Sequence, residues 1–264
     1  MRKAGRTLGG GWKGVATAVL AAGMLAGGTA FGAGVKVRVE GEGRETVVLI
    51  HGMKRSGRSM GKMAKALRAE GYRTAVVDYP SKWGVHETAE RVFAALGPVT
   101  AGVERVHFAT HSLGGILVRD AFREGAPANL GRVVMLGPPN GGCEHIDRFG
   151  WLPFFGAVWG TPARELGTGE GSYPNRLPAI GFECGVVAGT KGGMLGLLLP
   201  GKSDGKVTVA RAGEEGVKEL LVLPVNHTWM MRDKRVIAAT ARFLKTGRFG
   251  TAPADAGAAM TNDE

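Results

Sequence analysis

The chain has 264 residues, 44% hydrophobic and 22% charged, enough for one α/β domain or two small ones around a large buried core. Its 45 glycines are scattered among apolar runs without a G-X-Y period, which excludes collagen-like and low-complexity chains, and no internal repeat is present. The formal charge of +11 favours anionic surfaces such as lipid headgroups; the basic residues are dispersed and no nucleic-acid-binding motif accompanies them, so no nucleic-acid partner is expected.

Residues 1–33 carry four basic residues (Arg2, Lys3, Arg6, Lys13), no acid, and an apolar stretch from about Val15 to Phe31. That is the layout of a secretory signal peptide, with small residues permitting cleavage after Ala30 or Gly32. The expected location is therefore periplasmic or secreted. A retained membrane anchor is the competing reading, although the Ala/Gly-rich run is marginal for the roughly 20 apolar residues a span needs. No Cys lies in the segment, which argues against a lipid-anchored lipoprotein. Removing it leaves 30 Lys and Arg against 23 Asp and Glu, a balance of +7.

From residue 34 to 249 apolar β-rich runs alternate with helix-like segments, the pattern of a mostly parallel sheet flanked by helices. Strands are expected at 35–39, 46–50, 73–79, 105–110, 132–136, 184–189 and 218–224. Helices are expected at 57–70, 85–96, 113–124 and 230–245. The alternation breaks over about residues 143–178, where the aromatic- and Gly-rich stretch FGWLPFFGAVWGTP reads as a cap-like insertion. The tail, residues 250–264, lacks periodicity and reads as disordered.

ATHSLGGILV, residues 109–118, runs a strand into Thr110-His111-Ser112-Leu113-Gly114 and straight on into a helix. This is the form of a nucleophile elbow, in which the serine sits on a strained turn with its hydroxyl above the sheet. Thr110 stands where the usual G-x-S-x-G has its first glycine, and Gly114 keeps the strand and helix from crowding. Upstream, VVLIHGM ends a strand at His51-Gly52, so the backbone N–H of Met53 would face the same point as that of Leu113, two donors forming an oxyanion hole.

A serine nucleophile needs a base, and the base needs an orienting acid. Of the six histidines, His111 adjoins Ser112, His51 belongs to the oxyanion loop, His107 lies within a strand, and His86 and His145 precede or begin irregular segments. His227, in LVLPVNHTWMM, follows the last expected strand and precedes the final helix. For the acid, Asp204 sits in a Gly-flanked turn in PGKSDGKVTV; Asp147 is the rival, and Glu214 and Glu215 are further alternatives. Asp78 precedes Ser112 and is expected to fix local structure.

LIHGM, THSLGGI, LGPPNGG, SDGKVTV and VNHTWMM, in this order over about residues 44–247, resemble the α/β-hydrolases of the bacterial lipase and esterase type. The resemblance implies an α/β-hydrolase fold with a cap insertion after its sixth strand, a Ser112-His227-Asp204 triad, an acyl-enzyme, and an ester or lipid-like substrate with membrane-surface contact. Trp151, Phe154, Phe155 and Trp159 would then line the acyl pocket or cap, or be plain core. Families with this signature include acyltransferases and amidases, which remain alternatives, as does a catalytically silent binding protein. Cys143 and Cys184 stand at the ends of the insertion, and in an exported protein would permit a disulfide. No metal-ligand spacing, dinucleotide-binding loop or P-loop appears, so no cofactor is expected.

Overall fold

The β-branched runs pair into one eight-stranded sheet, and every strand expected from the sequence is part of it. The structure, a computed structural model, describes residues 29–32 (backbone only), 34–151 and 160–250. The strands are β1 (Thr29–Gly32), β2 (Val35–Glu40), β3 (Glu45–Ile50), β4 (Arg73–Asp78), β5 (Arg105–His111), β6 (Leu130–Leu136), β7 (Cys184–Gly189) and β8 (Glu219–Leu223). Their order is β1-β2-β4-β3-β5-β6-β7-β8, antiparallel at β1/β2 and β2/β4 and parallel from β4 to β8. The edge strand β1 was not expected; it lies where signal cleavage after Ala30 or Gly32 would cut. Residues 1–28, which hold the rest of that segment, lie outside the described residues.

Among the described residues four longer helices cover the sheet: α1 (Gly61–Ala69), α2 (Val85–Thr100), α3 (Leu113–Ala121) and α4 (Lys234–Thr246). Because side chains alternate along a strand, the buried parallel strands feed both faces. Val48 and Ile50 of β3, Phe108 of β5 and Met135 of β6 pack with Val92, Phe93, Ile116 and Leu117 beneath α2 and α3. Val47, Leu49, Ala109, Val134 and Leu136 pack on the other face with Met63 and Leu67 of α1 and Val236 and Phe243 of α4.

Helix boundaries differ from the sequence pattern where backbone polar groups decide them. A 3₁₀ turn, Gly57–Met60, precedes α1, and another, Met230–Arg232, is separated from α4 by Asp233, whose side chain caps the helix by accepting the Arg235 N–H. α2 continues past residue 96 to Thr100 with Pro98 in its last turn. The insertion after β6 is anchored rather than detached. Its short helices Thr161–Glu165 and Tyr173–Arg176 carry Leu166 and Tyr173 against the α2–α3 core, and the Tyr173 hydroxyl donates to Asp120 on α3 at 2.6 Å. Phe154, Phe155 and Trp159 lie outside the described residues, as do residues 251–264 of the tail.

The disulfide that Cys143 and Cys184 would permit is not formed: both thiols are free and buried. Cys184 opens β7 inside the sheet, while Cys143 sits beyond β6 with its Sγ donating to the carbonyl of Lys206 at 3.1 Å, so each faces different neighbours. Burial pushes the Cys143 thiol up to about 11 and the Cys184 thiol up to about 12. Both should therefore be inert in the native protein. Ellman's reagent is expected to titrate close to no thiol before denaturation and two per chain after it; a chain with none after denaturation would be bridged.

Candidate active site

Parallel strands put the loops that follow β3, β5, β6, β7 and β8 at one edge of the sheet, the edge at which α/β folds build their sites. At the end of β5 the chain turns directly into α3, and Ser112 takes φ 52°, ψ −119° to make the turn. Only one other non-glycine among the described residues has positive φ. It is Lys54 at φ 56°, in the loop after the neighbouring β3, so both strained residues lie in adjacent loops at this edge. Such conformations cost on the order of 1–3 kcal/mol each and persist only where their surroundings enforce them.

The enforcing contacts are glycines. A Cβ on Gly114 would stand 2.7 Å from the Ile50 carbonyl oxygen and 3.1 Å from that of His51, and one on Gly52 would stand 3.0 Å from Ser112 Cβ. The elbow and the His51-Gly52 loop therefore approach at distances no side chain permits. The Ser112 amide donates to the Leu136 carbonyl at 2.9 Å, fixing the turn to β6. Thr110, where the usual motif has glycine, is fully buried within β5 and fits there without displacing the turn.

His51 is held from several sides. Its ring stacks on Tyr79 at 4.2 Å, its Nε2 accepts the Tyr79 N–H, its Nδ1–H donates to the Gly52 carbonyl, and its own carbonyl accepts the Tyr79 hydroxyl at 2.8 Å. Asp78 accepts the Gly57 N–H, in keeping with a local structural role. Met53 follows this pinned pair, and the Leu113 N–H, first in α3, belongs to the helix end whose amides have no intrahelical acceptor.

On the far side of the elbow, loops after β7 and β8 bring His227 to Asp204. His227 Nδ1–H donates to Asp204 Oδ2 at 2.7 Å, and both residues are buried. Asp204 Oδ1 accepts the N–H groups of Lys206 and Val207, each at 2.9 Å, and the Asp204 carbonyl accepts the His227 N–H. The carboxylate is thus fixed at both oxygens, and the imidazole turns Nε2 away from it. Gly137, one residue beyond the carbonyl that holds Ser112, lies beneath this pair. A Cβ there would stand 2.8 Å from Asp204 Oδ2 and 3.1 Å from His227 Nδ1.

The other acids are engaged elsewhere. Asp147 accepts the Thr168 N–H and hydroxyl and ties the insertion together. Glu214 stands 3.5 Å from buried Arg119, and Glu215 is exposed. Trp151 is 75% exposed, with its indole N–H on the Arg148 carbonyl.

Two groups at the site went unassigned in the sequence. Lys206, half-buried behind Asp204, has its amine held below its usual range by burial and then by Arg55. His111 is buried and donates Nε2–H to the His227 carbonyl at 3.0 Å, joining the elbow to the loop that carries the candidate base, while its Nδ1 has no partner. Burial, then the neighbouring His227, holds the His111 imidazole well below the ordinary range, and burial lowers His107 as well. Only the tertiary approach of residues 111 and 227 gives His111 this place.

A histidine kept neutral by the fold binds its proton in the unfolded chain first, near pH 6.5. The unfolded state then holds more protons than the native state, so stability falls as pH drops below about 6.5, by up to ~1.4 kcal/mol per pH unit for each such group. Carboxylates with lowered values, such as Asp78 and Asp233, lose their contribution only below about pH 4. Between pH 6.5 and 4.5 the urea midpoint is therefore expected to fall, and His107→Gln should flatten that slope; an unchanged slope would show that His107 is not held neutral.

Several solved structures resemble this one. The mature lipase BlEst2 of Bacillus licheniformis matches at 19% identity and a TM-score of 0.61, covering 77% of this chain and 91% of that one. Its propeptide form matches at 21% and 0.65, covering 83% of this chain and 54% of that one. A lipase-esterase related protein from Clostridium acetobutylicum matches at 14% and 0.53, covering 81% and 99%. No protein-family model matches the sequence, and no curated protein matches it. The likeness establishes the α/β-hydrolase fold.

Proposed function

We propose that this α/β-hydrolase chain is a serine hydrolase of carboxylic esters, with Ser112 as nucleophile, His227 as base and Asp204 as its orienting acid. The observation that carries the reading is the buried 2.7 Å bond between His227 Nδ1 and Asp204 Oδ2, set at the same sheet edge as the strained Ser112 and linked to it through the bond from His111 to the His227 carbonyl. A dyad so oriented presents Nε2 to take a proton, which a serine hydroxyl requires before it attacks.

In this mechanism Ser112 Oγ attacks the ester carbonyl as His227 Nε2 accepts the hydroxyl proton, and the N–H groups of Met53 and Leu113 hold the oxyanion. The imidazolium returns the proton to the departing alkoxide, leaving an acyl-enzyme that water cleaves by the same steps. Each oxyanion donor would contribute about 10²–10³-fold in rate. The insertion with Trp151, Phe154, Phe155 and Trp159 forms the acyl pocket or cap of this reading. Export through the N-terminal segment completes it, and the N-terminal residue of protein recovered from the medium or periplasm tests that part.

A fluorophosphonate probe should label Ser112 and no other residue. Ser112→Ala and His227→Ala are each expected to lower kcat on p-nitrophenyl butyrate by several orders of magnitude with the melting temperature kept. Asp204→Asn should lose on the order of 10⁴ by disfavouring the needed tautomer and the imidazolium. Near-full activity in any of the three variants would overturn the assignment of that residue, and a parent enzyme that transfers the acyl group to an added alcohol in preference to water would be an acyltransferase.

On a cap that binds acyl chains, Trp151→Ala should reduce turnover of the decanoate ester several-fold and spare the butyrate. Equal loss on both esters with a lowered melting temperature would make Trp151 structural.

A further inference from the structure

The loop between β7 and Asp204, residues 190–203, is built to display apolar side chains rather than bury them. Met194 is 86% and Leu197 84% exposed; Leu195 and Leu198 are exposed as well, while Leu199 is buried and anchors the loop. Of the eight large apolar side chains exposed among the described residues, these four share one loop and a fifth, Trp229, stands across from them. The loop is not slack. Leu197, Leu198 and Leu199 donate to the carbonyls of Met194, Leu195 and Gly196, and a Cβ on Gly192 would stand 2.7 Å from Gly196 Cα. An ordered patch of this kind on a soluble chain marks a surface that meets another apolar body.

Its surroundings say which body. Leu195, Lys191 and Gly193 form one wall of a cavity of about 320 Å³ whose other walls are Lys206, His227 and Trp229. Lys191, Lys202 and Arg232 are exposed around it, Arg55 and Arg232 place their guanidinium groups 5.3 and 5.0 Å from the Trp229 ring centre, and Lys62 donates to the Arg232 carbonyl. No Asp or Glu occurs from residue 190 to 203; Asp204 is buried on His227, and Asp233 pairs with Arg235. Exposed aliphatics ringed by cations, with an indole among them, match the three layers of an anionic bilayer surface: acyl chains, interfacial zone and phosphates.

We propose that the loop of residues 190–203, together with Trp229, docks the protein on an anionic lipid bilayer, with Met194 and Leu197 entering the acyl region and Lys191, Lys202 and Arg232 meeting the phosphates. Docking opens the cavity beside His227 to the bilayer, so that esters embedded there reach the site without crossing water. That consequence rests on the hydrolase reading; the docking itself does not.

The test uses the full chain with an environment-sensitive fluorophore on Leu197→Cys, or on Glu104→Cys at the start of β5 on the opposite edge of the sheet, the native thiols being buried. With vesicles of phosphatidylcholine and phosphatidylglycerol in equal parts, the probe at 197 should shift to the blue and gain several-fold in intensity, and the probe at 104 should not. The response should fall at least tenfold in apparent affinity with pure phosphatidylcholine or in 0.5 M NaCl. Met194→Ser/Leu197→Ser is expected to weaken vesicle binding by about tenfold while hydrolysis of p-nitrophenyl butyrate in vesicle-free buffer is unchanged. Ser112→Ala should bind as the parent does, so a failed hydrolase assignment leaves the docking result standing. An unshifted probe at 197, as when the N-terminal segment alone holds the membrane, overturns the proposal. So does a dimer in solution that Met194→Ser/Leu197→Ser dissolves without any effect of vesicles.

Discussion

Ser112 at φ 52° is the point on which the other features of the site converge. A β-strand that must become a helix without a loop has no relaxed path for an L-residue at the junction, and the strain is tolerated because every neighbour is fixed. The Leu136 carbonyl holds the serine amide, Gly114 lets α3 lie directly on the ends of β3, and Gly52 lets the next loop touch Ser112 itself. Leu113 and Ile116 of α3 are fully buried, so the helix cannot rise to relieve the turn. The core thus supplies what the turn costs, about 1–3 kcal/mol.

The same rigidity extends to the histidine. The elbow's own His111 reaches back to the His227 carbonyl, and Gly137 at the end of β6 leaves just enough space for the Asp204–His227 bond above it. Four consecutive strand ends, those of β5, β6, β7 and β8, therefore set the candidate nucleophile and the dyad in one frame. A buried imidazole with an unpartnered Nδ1 is a cost that the arrangement accepts. It also leaves the protein sensitive to acid through a group that is not itself the proposed base.

Charge and apolar exposure are sorted along the molecule. The insertion after β6, which the sequence marks out by its aromatic residues, is in its described parts tied to α2 and α3 through Leu166 and Tyr173 and held together internally by the Asp147–Thr168 bonds. Of the exposed large apolar side chains among the described residues, Trp151 stands in the insertion and Leu220 and Val222 on β8, while the other five belong to the loop before Asp204 and to Trp229, beside exposed lysines and arginines. Among the described residues no helix is long and apolar enough to cross a membrane.

The sequence by itself determined the alternation of seven strands with helices, because β-branched runs, helical periodicity and glycine stops are local signals read over a few residues. It also singled out Ser112, His227 and Asp204, since each stands at the break after a strand, where side chains are released from packing. The Gly-flanked turn favoured Asp204 in the sequence, but both acids follow strands, and only the tertiary structure, through the parallel order of β6, β7 and β8, brings Asp204 and not Asp147 onto His227. It likewise separated Cys143 from Cys184, whose even count had suggested a bridge, by placing one in the sheet and one beside the Lys206 carbonyl. The run GMLGLLLP is almost wholly apolar and yet mostly exposed. Its exposure follows from close glycine contacts across a turn, and contacts between residues distant along the chain leave no periodic mark in the sequence.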